Sequence, residues 1–287
     1  MNALWDSAAA TDTGLVRESN QDRYWIDAEH GVFLVVDGIG GQADGDRAAQ
    51  TAVETIRQRI AGEGTAVERV RRAITAANNR IFELARGSGM GCVLTLAVVE
   101  DGEVTIGHVG DSRLYLIWNG AMRKLTSDHS PVGEDEDAGQ LTEAEAMSHP
   151  RRHEVFRAVG ARRHQSGDAG FIEIRRCRLR PDAALLLASD GLTDHLTAGR
   201  VREIVERYDG DSGWVARALV EAANAAGGRD NITVLFVAGP EFRGHAGVTR
   251  PRMGVTRARR GAGIFTSRVA FLIYGIALAM LLWVALR

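Results

Sequence analysis

The chain has 287 residues, 45% of them hydrophobic and 25% charged, ordinary globular values that leave enough apolar surface for a full core. Its net charge of −2 is unevenly spread: after Gly239 eight arginines stand against one acid, Glu241, a balance of +7, so residues 1–239 carry about −9. An acidic body argues against nucleic-acid binding as the main task and suits a site that gathers carboxylates around cations, although a solvated acidic surface has the same charge.

The opening MNALWDSAAATDTG lacks the basic start and apolar stretch of a secretory signal. Strands are expected at 23–27 and 32–36, then two long helices at 48–60 and 66–86. The second helix aligns Val67, Val70, Ile74, Ala77, Ile81 and Leu84 on one face. Further strands are expected at 92–99, 104–109, 114–118, 171–179, 183–188 and 232–237, several of them near-continuous apolar runs that imply burial. The links Glu100-Asp101-Gly102-Glu103 and Asn119-Gly120 read as hairpin turns, which favours antiparallel pairing. Helices at 198–208 and 213–226 follow. The expected class is α+β: two antiparallel sheets packed face to face and flanked by helix pairs, a four-layer α-β-β-α sandwich.

Residues 128–170 break this rhythm, being polar and rich in acids, histidine and arginine, with a short helical patch at 142–148. They read either as a lid over a site or as a solvated insertion. Cys92 and Cys177 lie in strand-like runs and read as buried thiols in a reducing compartment. Residues 240–267 form a basic linker. The uncharged apolar run 269–286 spans roughly 27 Å as a helix, close to a bilayer core, and its arginine-rich upstream flank places that side in the cytoplasm. The expected arrangement is a catalytic domain at 1–239, a linker, and a single-pass C-terminal transmembrane anchor at 268–287, with the catalytic domain on the cytoplasmic face of the cytoplasmic membrane. A buried core helix is the alternative reading of that run.

Five acidic motifs stand at strand boundaries: Asp22 in Arg17-Glu18-Ser19-Asn20-Gln21-Asp22, Asp37-Gly38, Asp111 in Gly110-Asp111-Ser112-Arg113, Asp190-Gly191, and Asp230-Asn231. A following glycine lets backbone approach closely, so its carbonyl can also serve as a ligand. Several carboxylates around one cavity repel unless cations sit between them, and oxygen-only donors favour Mg²⁺ or Mn²⁺ over zinc. Two such ions can share a bridging carboxylate and activate a water as nucleophile. Each motif alone is more often a turn than a site. Order, spacing and neighbours together carry the signal.

Taken together, Arg17…Asn20-Gln21-Asp22, Asp37-Gly38-Ile39-Gly40-Gly41, Gly110-Asp111-Ser112-Arg113, Leu125-Thr126-Ser127-Asp128-His129-Ser130, Ala188-Ser189-Asp190-Gly191-Leu192 and Gly228-Arg229-Asp230-Asn231-Ile232-Thr233-Val234 resemble the PPM (type 2C) family of metal-dependent protein phosphatases, most closely its bacterial branch. The resemblance spans about residues 10–239. It implies hydrolysis of phosphoserine or phosphothreonine on proteins by a water activated between two divalent ions. It implies that Asp37 bridges the ions with the Gly38 carbonyl beside it, that Asp190 and Asp230 hold one of them, and that Asp22 acts mainly through metal-bound water. Asp111 with Asp190 matches a third, weaker metal position, Arg17 a phosphate grip, and 128–170 the family's flap, in which Gly160 ends an Arg-Ala-Val-Gly stretch. Two departures stand out: Gln21 where many members have Glu, and Ile39 where eukaryotic members have a histidine thought to protonate the leaving group.

His108, His129, His149 and His153 are expected in structural or surface roles. No Cys-x5-Arg loop and no Gly-x4-Gly-Lys-Ser/Thr loop is present. The expected partners are phosphorylated proteins, a cognate serine/threonine kinase that the enzyme opposes in signalling, and the membrane, with no nucleic acid. Two competing readings are an inactive membrane-tethered binding module of the same fold, which Gln21 favours and the retained aspartates oppose, and a partner-switching phosphatase with a transmembrane sensor.

Overall fold

A computed structural model describes residues 5–245 of the chain. One five-stranded sheet runs β1 (Asp6–Asp12), β10 (Ile232–Ala238), β9 (Ala184–Ala188), β6 (Arg113–Trp118) and β7 (Ala121–Lys124). The other runs β2 (Arg23–Asp27), β3 (Val32–Ile39), β4 (Gly91–Glu100), β5 (Glu103–Val109) and β8 (Glu173–Arg178). Every pairing is antiparallel. Helices α1 (Gln42–Arg59) and α2 (Ala66–Ala85) cover the second sheet. Helices α6 (Ala198–Val205) and α7 (Ser212–Ala225) cover the first.

Side-chain alternation builds three apolar layers from these four slabs. In β3, Leu34 and Val36 face α1 and α2, whereas Phe33 and Val35 face the other sheet. In β10, Val234 and Phe236 face the α6–α7 side, whereas Leu235 and Val237 meet the second sheet across the middle. Burial on both faces is why these strands read as unbroken apolar runs. The four-layer sandwich expected from sequence is therefore the architecture.

The boundaries differ in instructive ways. Helix α1 starts six residues before the expected 48, because its first turn is polar and carries Gly45, whose backbone packs against Gly38. Strand β1 escaped the sequence reading: Asp6–Asp12 is alanine-rich and lies at a sheet edge, with no β-branched apolar residue to mark it. Strand β7 is only four residues long. Two short helices were also unread. Helix α3 (Pro131–Asp137) is acidic and without an apolar stripe, although Ser130 caps it and Pro131 opens it. Helix α5 (Asp190–Thr193) is a single turn. Within 128–170, α4 (Glu143–Ser148) matches the expected patch, with a capping box from Thr142 and Glu145.

Cys92 is buried and Cys177 half-buried, and both are free thiols. None of the helices among the described residues is long and apolar enough to cross a membrane. The expected linker beyond residue 245 and the transmembrane helix at 269–286 lie outside the described residues.

Candidate metal centre

Topology gathers the acidic motifs at one end of the sandwich. Asp37 lies on β3 itself, paired with Val93 of β4, rather than just beyond the strand. Asp111 sits in the link that carries the chain from β5 in one sheet to β6 in the other. Asp190 opens α5 after β9, and Asp230 stands just before β10. A cleft of about 220 Å³ is lined by Asp37, Gly38, Asp111, Asp190 and Asp230, together with Arg17, Gln21, Ile39 and His153. Of the sequence-predicted residues, only Asp22 is not in its wall. Asp22 is buried behind it and accepts a hydrogen bond from Ser189 Oγ at 2.7 Å.

The electrostatics are those of crowded, desolvated carboxylates. Burial, then the charges of Asp22, Asp190, Asp111 and Asp230, push Asp37 well above the usual carboxylate range. Burial, then Asp190 and Asp128, do the same to Asp111. Asp22 is pushed up to about 7, by burial first, against the lowering effect of its bonds to the Ser189 and Thr233 hydroxyls. Asp194 is pushed up to about 7, by burial and then by Asp190. Asp22 Oδ1 and Asp190 Oδ1 are buried and accept no hydrogen bond among the described residues.

These observations test whether divalent cations suit the residues present. Oxygen donors line one cleft, two buried carboxylate oxygens are unpartnered, and the repulsion among the carboxylates is what a cation relieves. Gly38 is required by close approach, since a Cβ there would come 2.3 Å from the Gly45 carbonyl oxygen and 3.0 Å from that of Gln21. The donor set fits hard divalent ions.

Arg17 is half-exposed and pairs with Asp230 at 2.7 Å, so the expected phosphate grip and an expected metal ligand touch each other. The side chain that organises this corner is one the sequence reading quoted without a role. Asn231 is buried, its Oδ1 accepts from Gln21 N at 2.8 Å, and its Nδ2 donates to Thr13 O and Ser19 O at 2.9 Å each. It clamps both ends of the loop that presents Arg17.

The flap contributes a second unforeseen group. His153 Nδ1 lies 3.6 Å from Asp190 Oδ2 and 3.6 Å from Asp194 Oδ2, and Arg152 Nε donates to Asp194 at 3.0 Å. The contact with Asp190 raises the His153 pKa. Asp194 follows Asp190 by one helical turn, a spacing that could have flagged it. His108 and His129 are structural, as expected. His108 bonds Thr95 Oγ1 at 2.8 Å and the Gly110 carbonyl oxygen at 2.9 Å, and burial lowers its pKa to about 4. His129 accepts from Gly110 N at 3.0 Å, donates its own backbone N–H to Gly110 O at 2.7 Å, and accepts from Phe156 N at 2.9 Å. The flap is thereby tied to the Asp111 link, and its end is stitched to β4 by the Cys92–Val159 bridge. Of the two departures, Ile39 lines the cleft, and Gln21 Nε2 turns to the Gly41 carbonyl at 3.3 Å.

The profile of the family described as Protein phosphatase 2C matches residues 16–221. The serine/threonine phosphatase stp of Listeria innocua is 34% identical over 241 residues, which covers 79% of this chain and 93% of that one. The PPM Ser-Thr phosphatase MsPP of Mycobacterium smegmatis, solved with cacodylate, superposes with a TM-score of 0.72 at 34% identity, covering 83% of this chain and 99% of that one. The catalytic domain of the phosphatase PstP, solved with two manganese ions, gives a TM-score of 0.71 at 27% identity, covering 82% and 97%. With its acidic cleft, its two facing sheets and these likenesses, the chain belongs to the PPM (type 2C) family of metal-dependent protein serine/threonine phosphatases.

Proposed function

We propose that this chain hydrolyses phosphoserine and phosphothreonine esters of proteins at the Asp37 cleft, opposing a serine/threonine kinase at the cytoplasmic membrane. One observation carries the reading: four aspartates from both sheets and one arginine line a single cleft. Asp37, the Gly38 carbonyl, Asp190 and Asp230 would hold two Mn²⁺ or Mg²⁺ ions, with Asp22 behind them and Asp111 with Asp190 at a third position. Bound there, the ions would supply an activated water and neutralise phosphoryl charge.

The protein's own part is orientation. Arg17 presents a planar guanidinium that suits two phosphate oxygens at once, and it exchanges its bond to Asp230 for the substrate. Asn231 fixes the loop that aims it. Ser189 holds Asp22 in place from behind. Ile39 offers no proton to the leaving group, so that proton must come from solvent or another side chain.

The membrane part of the proposal is supported by the apolar run 269–286 and its arginine flank. The catalytic part is tested with Asp37→Asn. We expect a fall of at least 1000-fold in turnover of para-nitrophenyl phosphate, on the scale of losing a preorganised catalytic group. Mn²⁺ binding by titration calorimetry should weaken in parallel. Turnover within tenfold of wild type would refute the mechanism.

A further inference from the structure

Outside the cleft, the most unusual surface is a pair of apolar residues beside it. Leu15 and Val16 are 69% and 66% exposed, the two most exposed large apolar side chains among the described residues. Third is Phe156, at 48%. Their positions are not scattered. Val16 precedes Arg17 and Phe156 follows Val155, and both Arg17 and Val155 line the metal cleft. The chain therefore holds apolar side chains out into water at two borders of the same cleft, one on the Arg17 loop and one on the flap.

The Arg17 loop holds them there rigidly. Gly14 turns the chain at φ +79°, and its N–H is bound by Asp12 Oδ1 at 2.9 Å. A Cβ on Gly14 would strike the Asp230 carbonyl oxygen at 2.2 Å. Leu15 N donates to Gly228 O at 2.6 Å, and Asn231 clamps Thr13 and Ser19 on either side. Leu15 and Val16 nonetheless keep most of their apolar surface in water, and apolar surface exposed beside a cleft marks a contact site.

We propose that Leu15, Val16 and Phe156 form an apolar rim that selects phosphorylated segments carrying an apolar side chain next to the phosphoresidue. The inference rests on the phosphoprotein reading above and names a preference within it. The occupant follows from continuity with the cleft: a phosphate held by Arg17 places the neighbouring residues of an extended peptide over the positions adjoining Arg17 and Val155. Apolar neighbours bury these side chains, whereas polar neighbours must shed water against them.

The test compares two phosphothreonine peptides that differ only in their flanking residues, leucine and valine in one, serine and glycine in the other. Wild-type enzyme with saturating Mn²⁺ should favour the apolar peptide about tenfold in kcat/KM, mostly through KM, as expected for burial of one or two such side chains. The double substitution Leu15→Ser with Val16→Ser should reduce the preference to about twofold, and Phe156→Ser should reduce it in part. Leu15→Met with Val16→Ile should retain it. Para-nitrophenyl phosphate has no flanking residues, and its turnover should follow wild type throughout. No preference in the wild type, or a preference that survives the serine variants, would overturn the inference while leaving phosphatase function intact. Equal losses on both peptides and on para-nitrophenyl phosphate would show that the rim supports the site's structure, and would also overturn it. Turnover of para-nitrophenyl phosphate with neither peptide hydrolysed would sink the phosphoprotein reading itself.

Discussion

Asn231 shows how much a single amide can hold. Its one acceptor and two donors satisfy Gln21 N, Thr13 O and Ser19 O, three backbone groups on one loop. Asn231→Ala leaves all three without that partner in a largely buried setting. At about 1–3 kcal/mol for each group left unsatisfied, with partial rescue by water, we expect roughly 3 kcal/mol of destabilisation, read as a lower urea midpoint. KM should rise as well, because the Arg17 loop loses its clamp. An unchanged midpoint would mean that the loop is held by other bonds. The aspartates could be read from sequence because they stand at strand boundaries in a known order. The role of Asn231 could not, because it depends on which backbone groups lie within reach of its side chain. The approach of His153 to Asp190, beyond the structural or surface role its sequence suggests, was hidden for the same reason: it is made by the path of residues 128–170, which no local pattern encodes, whereas the one-turn spacing of Asp194 from Asp190 is in the sequence.

At the scale of elements, strands buried on both faces, such as β3 and β10, announced themselves, as did α2 by its apolar stripe. What stayed hidden had little apolar surface to declare it: the alanine-rich β1, the polar first turn of α1, and the acidic α3. Residues 128–170 stand out in the sequence as a polar segment, but the bonds that anchor them do not. Among the ties that hold the flap are those of His129 to Gly110, and of Val159 to Cys92 by paired backbone bonds of 2.8 and 3.0 Å. His129→Ala removes one acceptor from the Gly110 N–H and opens a gap beside Phe156. Hydrogen exchange of peptides covering 109–112 and 155–157 should then quicken by about tenfold, while β3 and β4 keep wild-type protection. Acceleration spread evenly over both sheets would point instead to loss of global stability.

Across the whole molecule, the crowded carboxylates make metal and pH inseparable. Asp22 and Asp194 titrate near 7 in the fold, and Asp37 and Asp111 are shifted the same way, so the metal-free native state binds more protons than the unfolded chain between about pH 4 and pH 7. For these groups stability is therefore present at low pH and lost as pH rises through that window. His108, lowered to about 4, and His129, lowered to about 3, act in the opposite sense, losing stability as pH falls below 6.5. The clean observable is the difference between metal-loaded and metal-free protein, in which the histidine contributions cancel. Saturating Mn²⁺ should raise the Tm by several degrees at pH 7.5 and by much less at pH 5. A metal increment equal at both pH values would contradict the assigned carboxylate site.

The pairing of β1 with β10 also has a temporal meaning. The first and last described strands lie side by side, and the Arg17–Asp230 bond joins residues 213 apart in the chain. Until β10 has left the ribosome, β1 has no neighbour in its sheet and Asp230 cannot reach the cleft. A nascent chain that already carries Asp22, Asp37, Asp111 and Asp190 thus still lacks one wall of the cleft. If Asp230 is a metal ligand as proposed, the cleft gains its full set of carboxylates only when the first and last described strands can pair.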